Sequence, residues 1–254
     1  GSQIILTGFS KTILLESGTK MHSWEDTTLQ DMVREVIKSG ADEQLQNEIQ
    51  PEFTHKINYQ TQYEETDFQY IQRLAKQYNE WLYYDGEKLF FGKPQNLIQK
   101  ERITLTFGQD LYTFKLGVKA KQTQFGAFTY NEDYNKLYKV QTQNKVEGLP
   151  RLGDQTFEAS EKLYNTTSLE YGRIPTGDEA FLEIILKKRQ EAAMADANYI
   201  TATSGNNKLK IGSIITINAK EEIEVNSAHR LGLDPYKTNF QLQEVGTYII
   251  TEIT

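Results

Sequence analysis

The segment from residue 63 to residue 91 constrains the fold of this chain most strongly. Thr66 and Gln69 have the spacing of a capping box, in which the two side chains bond the free N–H groups at a helix start. The apolar residues that follow recur at helical spacing and predict one buried face: Phe68, Ile71, Leu74, Ala75 and Tyr78. Aromatic residues then flank Asp85-Gly86, a pair that adopts the positive φ angles of a tight turn. The segment therefore predicts a helix followed by an aromatic β-hairpin.

An earlier helix is predicted by a similar pattern. Asp26 and Thr27 are suitable N-caps, Gln30 stands three residues after Thr27, and Gly40 is suited to end the helix. The apolar residues between these signals have helical spacing: Leu29, Met32, Val33, Val36 and Ile37.

A third helix is predicted from near Asp178 to about Thr201. Its apolar residues are Phe181, Ile184, Ile185, Ala192, Ala193 and Tyr199. The alanines in its second half would let it lie close against a sheet. Residues 148–176, which contain two prolines, are expected to be irregular.

The remaining segments predict strands. Residues 3–15 indicate one or two short strands, residues 53–63 a further strand, and residues 101–150 several. Near the C-terminus, residues 209–217 predict a strand with Gly212 at a bulge or close approach, and residues 240–253 predict another.

Composition excludes several classes of function. The formal net charge of −7 and the scattered basic residues argue against a nucleic-acid partner, because binding phosphates requires clustered Lys and Arg. No window approaches the roughly 20 apolar residues of a membrane helix, so no stable membrane insertion is expected. The absence of Cys excludes disulfides and thiolate metal sites and is typical of folding in a reducing cytosol.

No signal peptide is visible. Gly1-Ser2 looks like the remnant of a cleaved tag, so the natural N-terminus is expected to lie upstream.

Histidines and acids are the first candidates for a chemical site. His22, His55 and His229 are isolated in sequence and lack the spacing of metal ligands. The acids Glu64, Glu65 and Asp67 could form a carboxylate pair that hydrolyses a glycosidic bond. Their position at a helix start has a simpler cause, because acids there stabilise free N–H groups, and we favour that structural interpretation.

The other candidates have weaker support. Ser10 lacks the second glycine of a nucleophile elbow, residues 131–133 lack the spacing of a calcium loop, and residues 165–167 match only the short glycosylation pattern. No nucleotide-binding glycine motif occurs. The aromatic residues of the hairpin could line a glycan platform, but core packing is favoured: Trp81, Tyr83, Tyr84, Phe90 and Phe91. We therefore predict no catalytic, cofactor-binding or metal-binding residue and no enzyme activity.

The order of three segments resembles the VgrG proteins of type VI secretion and the related tail-hub proteins of contractile phages. The strongest resemblance lies in residues 63–74, which are similar to the family's helix of tyrosine, acid, Ser/Thr, Asp, aromatic, Ile and Arg-Leu, and in the hairpin that follows. Asn79-Glu80-Trp81 departs from the family's usual glycine before the hairpin. Residues 6–33 and residues 177–250 resemble the family's first-barrel exit and its closing strands.

This resemblance implies an α+β fold that is mainly β, with split β-barrel hub domains and a small helix-hairpin α/β domain. The implied domains are residues 1–20, the end of a truncated first hub barrel, residues 21–110, the small α/β domain, and residues 111–254, a second hub barrel with one long helix. The spike that follows the hub in the family is absent from this chain.

The implied function is that of a structural hub that joins the inner tube of a contractile injection machine to its membrane-puncturing spike. Its implied partners are two further copies in a homotrimer, the inner tube ring protein, baseplate proteins, and effectors or a spike-tip protein. The implied location is the bacterial cytoplasm during assembly, followed by secretion or injection. The alternatives are a phage baseplate hub rather than a secretion hub, and, from other classes, an envelope glycan hydrolase or a glycan-binding module.

Overall fold

The computed structural model describes residues 8–93, 102–132, 134–149, 151–172, 179–222 and 240–254. The chain divides into two compact units. The first unit consists of Gly1–Pro94 and Leu116–Ile200, and the second consists of Gln95–Lys115 and Thr201–Thr254. The domain boundaries that the resemblance implies at residues 20 and 110 stay predictions.

The first unit begins with a helix-and-hairpin module in residues 8–93. Its elements, with two 3-10 helices at Lys11–Glu16 and Asp42–Gln44, are β1 (Lys20–Thr28), α1 (Leu29–Ala41), β2 (Gln46–Ile49), β3 (Lys56–Glu65), α2 (Asp67–Tyr78), β4 (Leu82–Tyr84) and β5 (Lys88–Phe91). Strands β1 and β3 form an antiparallel ribbon, and β2, β5 and β4 form a second sheet in which β2 and β5 are parallel. The predicted α2 helix and hairpin are confirmed.

The core of this module lies between the two helices, the ribbon and the hairpin. The predicted apolar face of α1 is buried, as is that of α2 except for Phe68, which is only partly buried. Tyr70 of α2, which was not predicted on this face, is fully buried, and Trp24 of β1 stacks on it with ring centroids 5.0 Å apart. Thr66 and Gln69 form both hydrogen bonds of the capping box. Local sequence therefore determines where α2 starts, and packing against α1 stabilises it.

Three expectations about this module were wrong in detail. Residues 11–16 form a 3-10 helix rather than a strand, and strand β1 occupies residues that carried no predicted element. The N-cap of α1 is Thr28, whose hydroxyl accepts the Asp31 N–H, rather than Asp26 or Thr27. Gly40 lies inside α1 rather than beyond its end, and glycine suits this position because a Cβ would collide with the Asp67 carboxylate and with Leu15.

The chain after residue 101 contains two helices among strands. Its elements are β6 (Ile103–Thr106), β7 (Leu111–Val118), β8 (Phe125–Asn131), β9 (Lys136–Gln141), α3 (Arg151–Leu163), β10 (Ser168–Tyr171), α4 (Glu179–Ala197), β11 (Asn198–Ser204), β12 (Ile214–Glu222) and β13 (Phe240–Ile249). Strands β8, β9 and β10 form one sheet of the first unit, with β10 parallel to β8 and β9 antiparallel to it.

Helix α4 packs on this sheet and on the first module. Leu182 and Leu186 contact the inner side of the sheet, whereas Phe181 and Ile185 pack against the core of residues 8–93. The predicted third helix is thus confirmed over Glu179–Ala197, and Asp178 lies outside the described residues. Its expected end near Thr201 was wrong, because Asn198–Ser204, with Tyr199, form strand β11. The two apolar sides of α4 join the module and the sheet within the first unit.

Helix α3 contradicts the expectation that residues 148–176 are irregular. Among the residues of α3 whose burial the structure describes, the buried ones are Gly153, Thr156, Phe157 and Ser160. Because three of these four residues are small or polar, they form no apolar stripe that sequence periodicity would reveal.

The second unit holds a sheet with the strand order β13-β12-β6. The pairing of β12 with β13 shifts at Ile217/Asn218, whereas Gly212 has φ 81° and precedes β12, where its N–H donates to the Ile250 carbonyl at 2.8 Å. The predicted bulge at Gly212 was therefore misplaced, and glycine at this position suits the positive φ before the strand. The α+β class is confirmed, and none of the sheets closes into a barrel in the described parts of the chain. No described helix is long and apolar enough to cross a membrane.

Candidate functional site

The carboxylates before and at the start of α2 are the first candidates, and Asp67 is the most buried of them. One of its oxygens pairs with Lys20 Nζ at 2.6 Å, and the other accepts a hydrogen bond from Gln62 Nε2 at 3.1 Å. Its side chain is 2% exposed. Both oxygens are thus occupied by groups of the ribbon, so Asp67 joins α2 to β1 and β3.

Glu65 is held by Arg73, which lies eight residues further along the chain. Arg73 donates from Nε and Nη2 to the two carboxylate oxygens, each at 2.7 Å, and Nη2 also donates to the Thr61 carbonyl at 2.6 Å. Hydrogen bonding and charge from Arg73 lower the pKa of Glu65, although burial opposes this. A general acid for glycoside hydrolysis needs a raised pKa, so this environment does not suit that role. Glu64 is exposed, with φ 51°.

The histidines take part in contacts rather than in a cluster. His22 lies 3.8 Å from Glu35, whose carboxylate also accepts from Trp24 Nε1 at 2.9 Å. The ring of His55 packs edge-on against the ring of Phe181, with the two ring centroids 3.9 Å apart. His229 lies outside the described residues. Within the described chain, no three His, Cys, Asp or Glu residues are grouped as a metal site.

The lesser candidates form local turns. The Ser10 hydroxyl hydrogen-bonds that of Thr12 at 2.6 Å, and the Asn131 side chain accepts the Tyr134 N–H at 3.2 Å. Asp133 lies outside the described residues. Thr166 donates to Asn165 within the glycosylation pattern at 3.4 Å. Among the described residues, no hydrogen bond joins Ser10, Asn131 or Thr166 to the acids of α2.

The aromatic hairpin is mostly core. Phe90 and Phe91 are buried, and Tyr83 stacks on Phe90 with ring centroids 4.7 Å apart. Burial raises the pKa of Tyr83 to about 12. Of the five aromatic residues of the hairpin, only Trp81 is exposed, at 40%. Two of the rings proposed for a glycan platform are therefore covered.

Sequence reasoning missed a buried ion pair at the end of α2. Lys188 of α4 lies 2.8 Å from Glu80 and 3.0 Å from Glu52, and its side chain is 12% exposed. Glu80 also accepts the Phe53 N–H at 3.0 Å. Beside it, Asn79 adopts a left-handed conformation and donates to the Ile185 carbonyl at 3.0 Å. Only the departure Asn79-Glu80-Trp81 from the family's usual glycine marked this place in the sequence.

The described residues thus define an α+β protein whose acids and aromatic residues hold elements together instead of converging on a cleft. Residues 9–102 match the model of the family described as "Phage tail baseplate hub (GPD)". This match contains the whole module with its capped helix and aromatic hairpin. The match lies in this part of the chain and covers less than half of its length.

Solved structures of tail proteins share the fold. A tail protein from Neisseria meningitidis MC58 aligns with a TM-score of 0.53 at 11% identity, over 81% of this chain and 61% of that one. The 43 kDa tail protein of prophage MuSo2 from Shewanella oneidensis aligns with a TM-score of 0.52 at 14% identity, over 83% of this chain and 62% of that one. The chain therefore spans about three fifths of the length of these proteins. A search of curated proteins found no similar sequence.

Proposed function

We propose that this chain is the hub part of a contractile phage tail or a related injection machine. The observation that carries the proposal is the family match over residues 9–102, which covers the helix-and-hairpin module and its capped helix. In this role the protein assembles in the bacterial cytoplasm, connects the inner tube ring to the spike, and leaves the cell with the machine.

The phage baseplate hub is the first form of this proposal, because the matched family and both structural neighbours are described as tail proteins. A type VI secretion hub is the second form, favoured by the resemblance of residues 63–74 to VgrG proteins. Antibodies against this chain, applied to tail particles purified from the source cells, are expected to label the baseplate end. Labelling of secretion machinery in cells without such particles would favour the second form, and labelling of neither would contradict both.

The proposal predicts a difference in oligomeric state between this chain and the longer hub protein. Permanent trimers commonly bury more than about 2,000 Å² at their interfaces. In a hub, much of that area is expected from a first barrel and a spike outside this chain, and the net charge of −7 on every copy opposes weak contacts. We expect this chain to be mainly monomeric at micromolar concentration and the longer protein to be a stable homotrimer.

Light scattering coupled to size exclusion measures both states. A monomeric longer protein would overturn the hub proposal. A trimeric chain would show instead that the interface lies within these residues.

We also propose that the chain is not an enzyme. Glu65 and Asp67 are engaged by Arg73 and Lys20, and Asp67 is buried. The purified chain is expected to release no soluble fragments from peptidoglycan or polysaccharide. Turnover that disappears in Glu65→Gln or Asp67→Asn, while circular dichroism of the variants matches the parent, would contradict this.

A further inference from the structure

The β1–β3 ribbon has an exposed face of unusual composition. Cross-strand register places Met21 opposite Tyr63, Ser23 opposite Thr61, and Glu25 opposite Tyr59. We call these six residues the ribbon face. Met21, Tyr59 and Tyr63 are between 57% and 69% exposed. Tyr and Met are enriched at protein interfaces relative to the rest of the surface, so this face has the composition of a contact surface.

The β8–β9–β10 sheet has a second exposed face on the side away from α4. Register places Tyr130 opposite Leu137, Tyr171 beside Phe128, and Leu169 beside Gly126. The sheet face is defined as Phe128, Tyr130, Leu137, Lys139, Leu169 and Tyr171. Its Tyr and Leu residues are between 46% and 57% exposed, and the rings of Phe128 and Tyr171 contact at 5.5 Å. The inner side of the sheet is covered by α4, so the apolar residues of the outer side have no packing role in the described core.

The two faces differ in charge. Residues 8–93, which include the ribbon, contain 15 acidic and 9 basic residues, so they account for most of the net charge of −7. Glu25 lies on the ribbon face, whereas Lys139 lies on the sheet face opposite Phe128. Neither side chain has an ion-pair partner among the described residues. Two ribbon faces placed together would bring like charges into contact, while a ribbon face and a sheet face are complementary.

We infer that the ribbon face of one copy docks on the sheet face of a second copy. The inference deepens the proposed function, because it rests on the proposed trimer and names the surfaces that join its subunits. A contact between two different faces is heterologous, and a heterologous contact closes into a ring when its rotation permits. The faces comprise six residues each, fewer than the roughly 20 to 30 residues a side of a stable interface. The contact is therefore weak in this chain alone and requires the rest of the hub to become permanent.

The absence of Cys allows a direct test. Tyr63→Cys and Leu137→Cys are made in separate copies, one with a size tag, and the two are mixed at high concentration with a short bifunctional thiol reagent. The expected product is the mixed dimer, in clear excess over the dimers that each variant forms alone. Lys76→Cys, at an exposed position of α2 outside both faces, replaces Tyr63→Cys in the control mixture and should give only background product.

Charge reversal separates specific docking from random collision. Glu25→Lys in the Tyr63→Cys copy is expected to lower the yield of mixed dimer several-fold, and Lys139→Glu in the Leu137→Cys copy is expected to restore it. Equal yields in all mixtures, or dimers formed mainly from one variant alone, would overturn the inference.

The longer protein distinguishes this failure from failure of the proposed function. A homotrimer that forms no 63–137 cross-link between subunits would overturn the docking inference and leave the hub proposal intact. A monomer would overturn the hub proposal itself.

The methionine ε-methyl NMR signals supply a check without substitutions, since Met21 is exposed whereas Met32 and Met194 are buried. Only the Met21 signal is expected to shift as the concentration of this chain rises, and a constant signal would contradict docking.

Discussion

Replacing Lys188 with methionine is expected to lower the free energy of unfolding by about 3 to 5 kcal/mol, because it leaves Glu80 buried without its cation. The Glu80 side chain is 1% exposed, and Lys188 approaches it at 2.8 Å. Methionine keeps the length and much of the apolar stem of lysine, so the loss measures the charge more than the packing. The Phe53 N–H continues to donate to Glu80 and keeps the effect toward the lower end of this range.

Urea unfolding followed by circular dichroism measures the change. Lys187→Met is the matched control, since Lys187 is the neighbour of Lys188 in α4 but is exposed, and it should change stability by no more than about 0.5 kcal/mol. Adding Glu80→Gln to Lys188→Met removes the unpaired charge and is expected to recover part of the loss. Equal stability of Lys188→Met and Lys187→Met would contradict a buried ion pair at this position.

Truncating Leu74 to alanine is expected to lower the free energy of unfolding by about 2 to 5 kcal/mol. Leu74 is fully buried in the core that α2 shares with α1 and the hairpin. The substitution removes apolar contacts and leaves a cavity that a close-packed interior fills only in part. Alanine preserves helix propensity, so the loss reports on packing rather than on the helix itself.

The denaturant midpoint and the slope of the transition give this value. Lys76→Ala, two residues further on and on the exposed side of α2, is expected to change stability by about 0.5 kcal/mol or less. If the midpoint of Leu74→Ala equals that of Lys76→Ala, then α2 does not pack as the structure shows.

The α2 helix and the hairpin could be predicted because their signals are local. The capping box at Thr66 and Gln69, the apolar spacing after it, and Asp85-Gly86 each act within a few residues along the chain. Their occurrence in order also carried the resemblance to tail hubs, which the family match over residues 9–102 supports. The structural interpretation of Asp67 was predictable in part, since an acid at a helix start has an electrostatic reason to be there.

Other features depended on partners that sequence spacing does not reveal. Helix α3 was missed because its buried side contains Gly153, Thr156 and Ser160, which fit against neighbours without forming an apolar stripe. Gly40 is predicted to end α1 because glycine commonly ends helices. The structure gives another reason for a glycine at this position, which is the close approach of Asp67 and Leu15.

The sequence by itself determined the helix and hairpin of the first module, its acidic charge and the absence of cysteine chemistry. Tertiary structure alone decided which groups meet. Glu80 and Lys188 are 108 residues apart in sequence, and only the packing of α4 on the first module makes them a buried pair. Strand register likewise decided that Met21, Tyr59 and Tyr63 share one exposed face, because a shift of one residue would send these side chains to the other side.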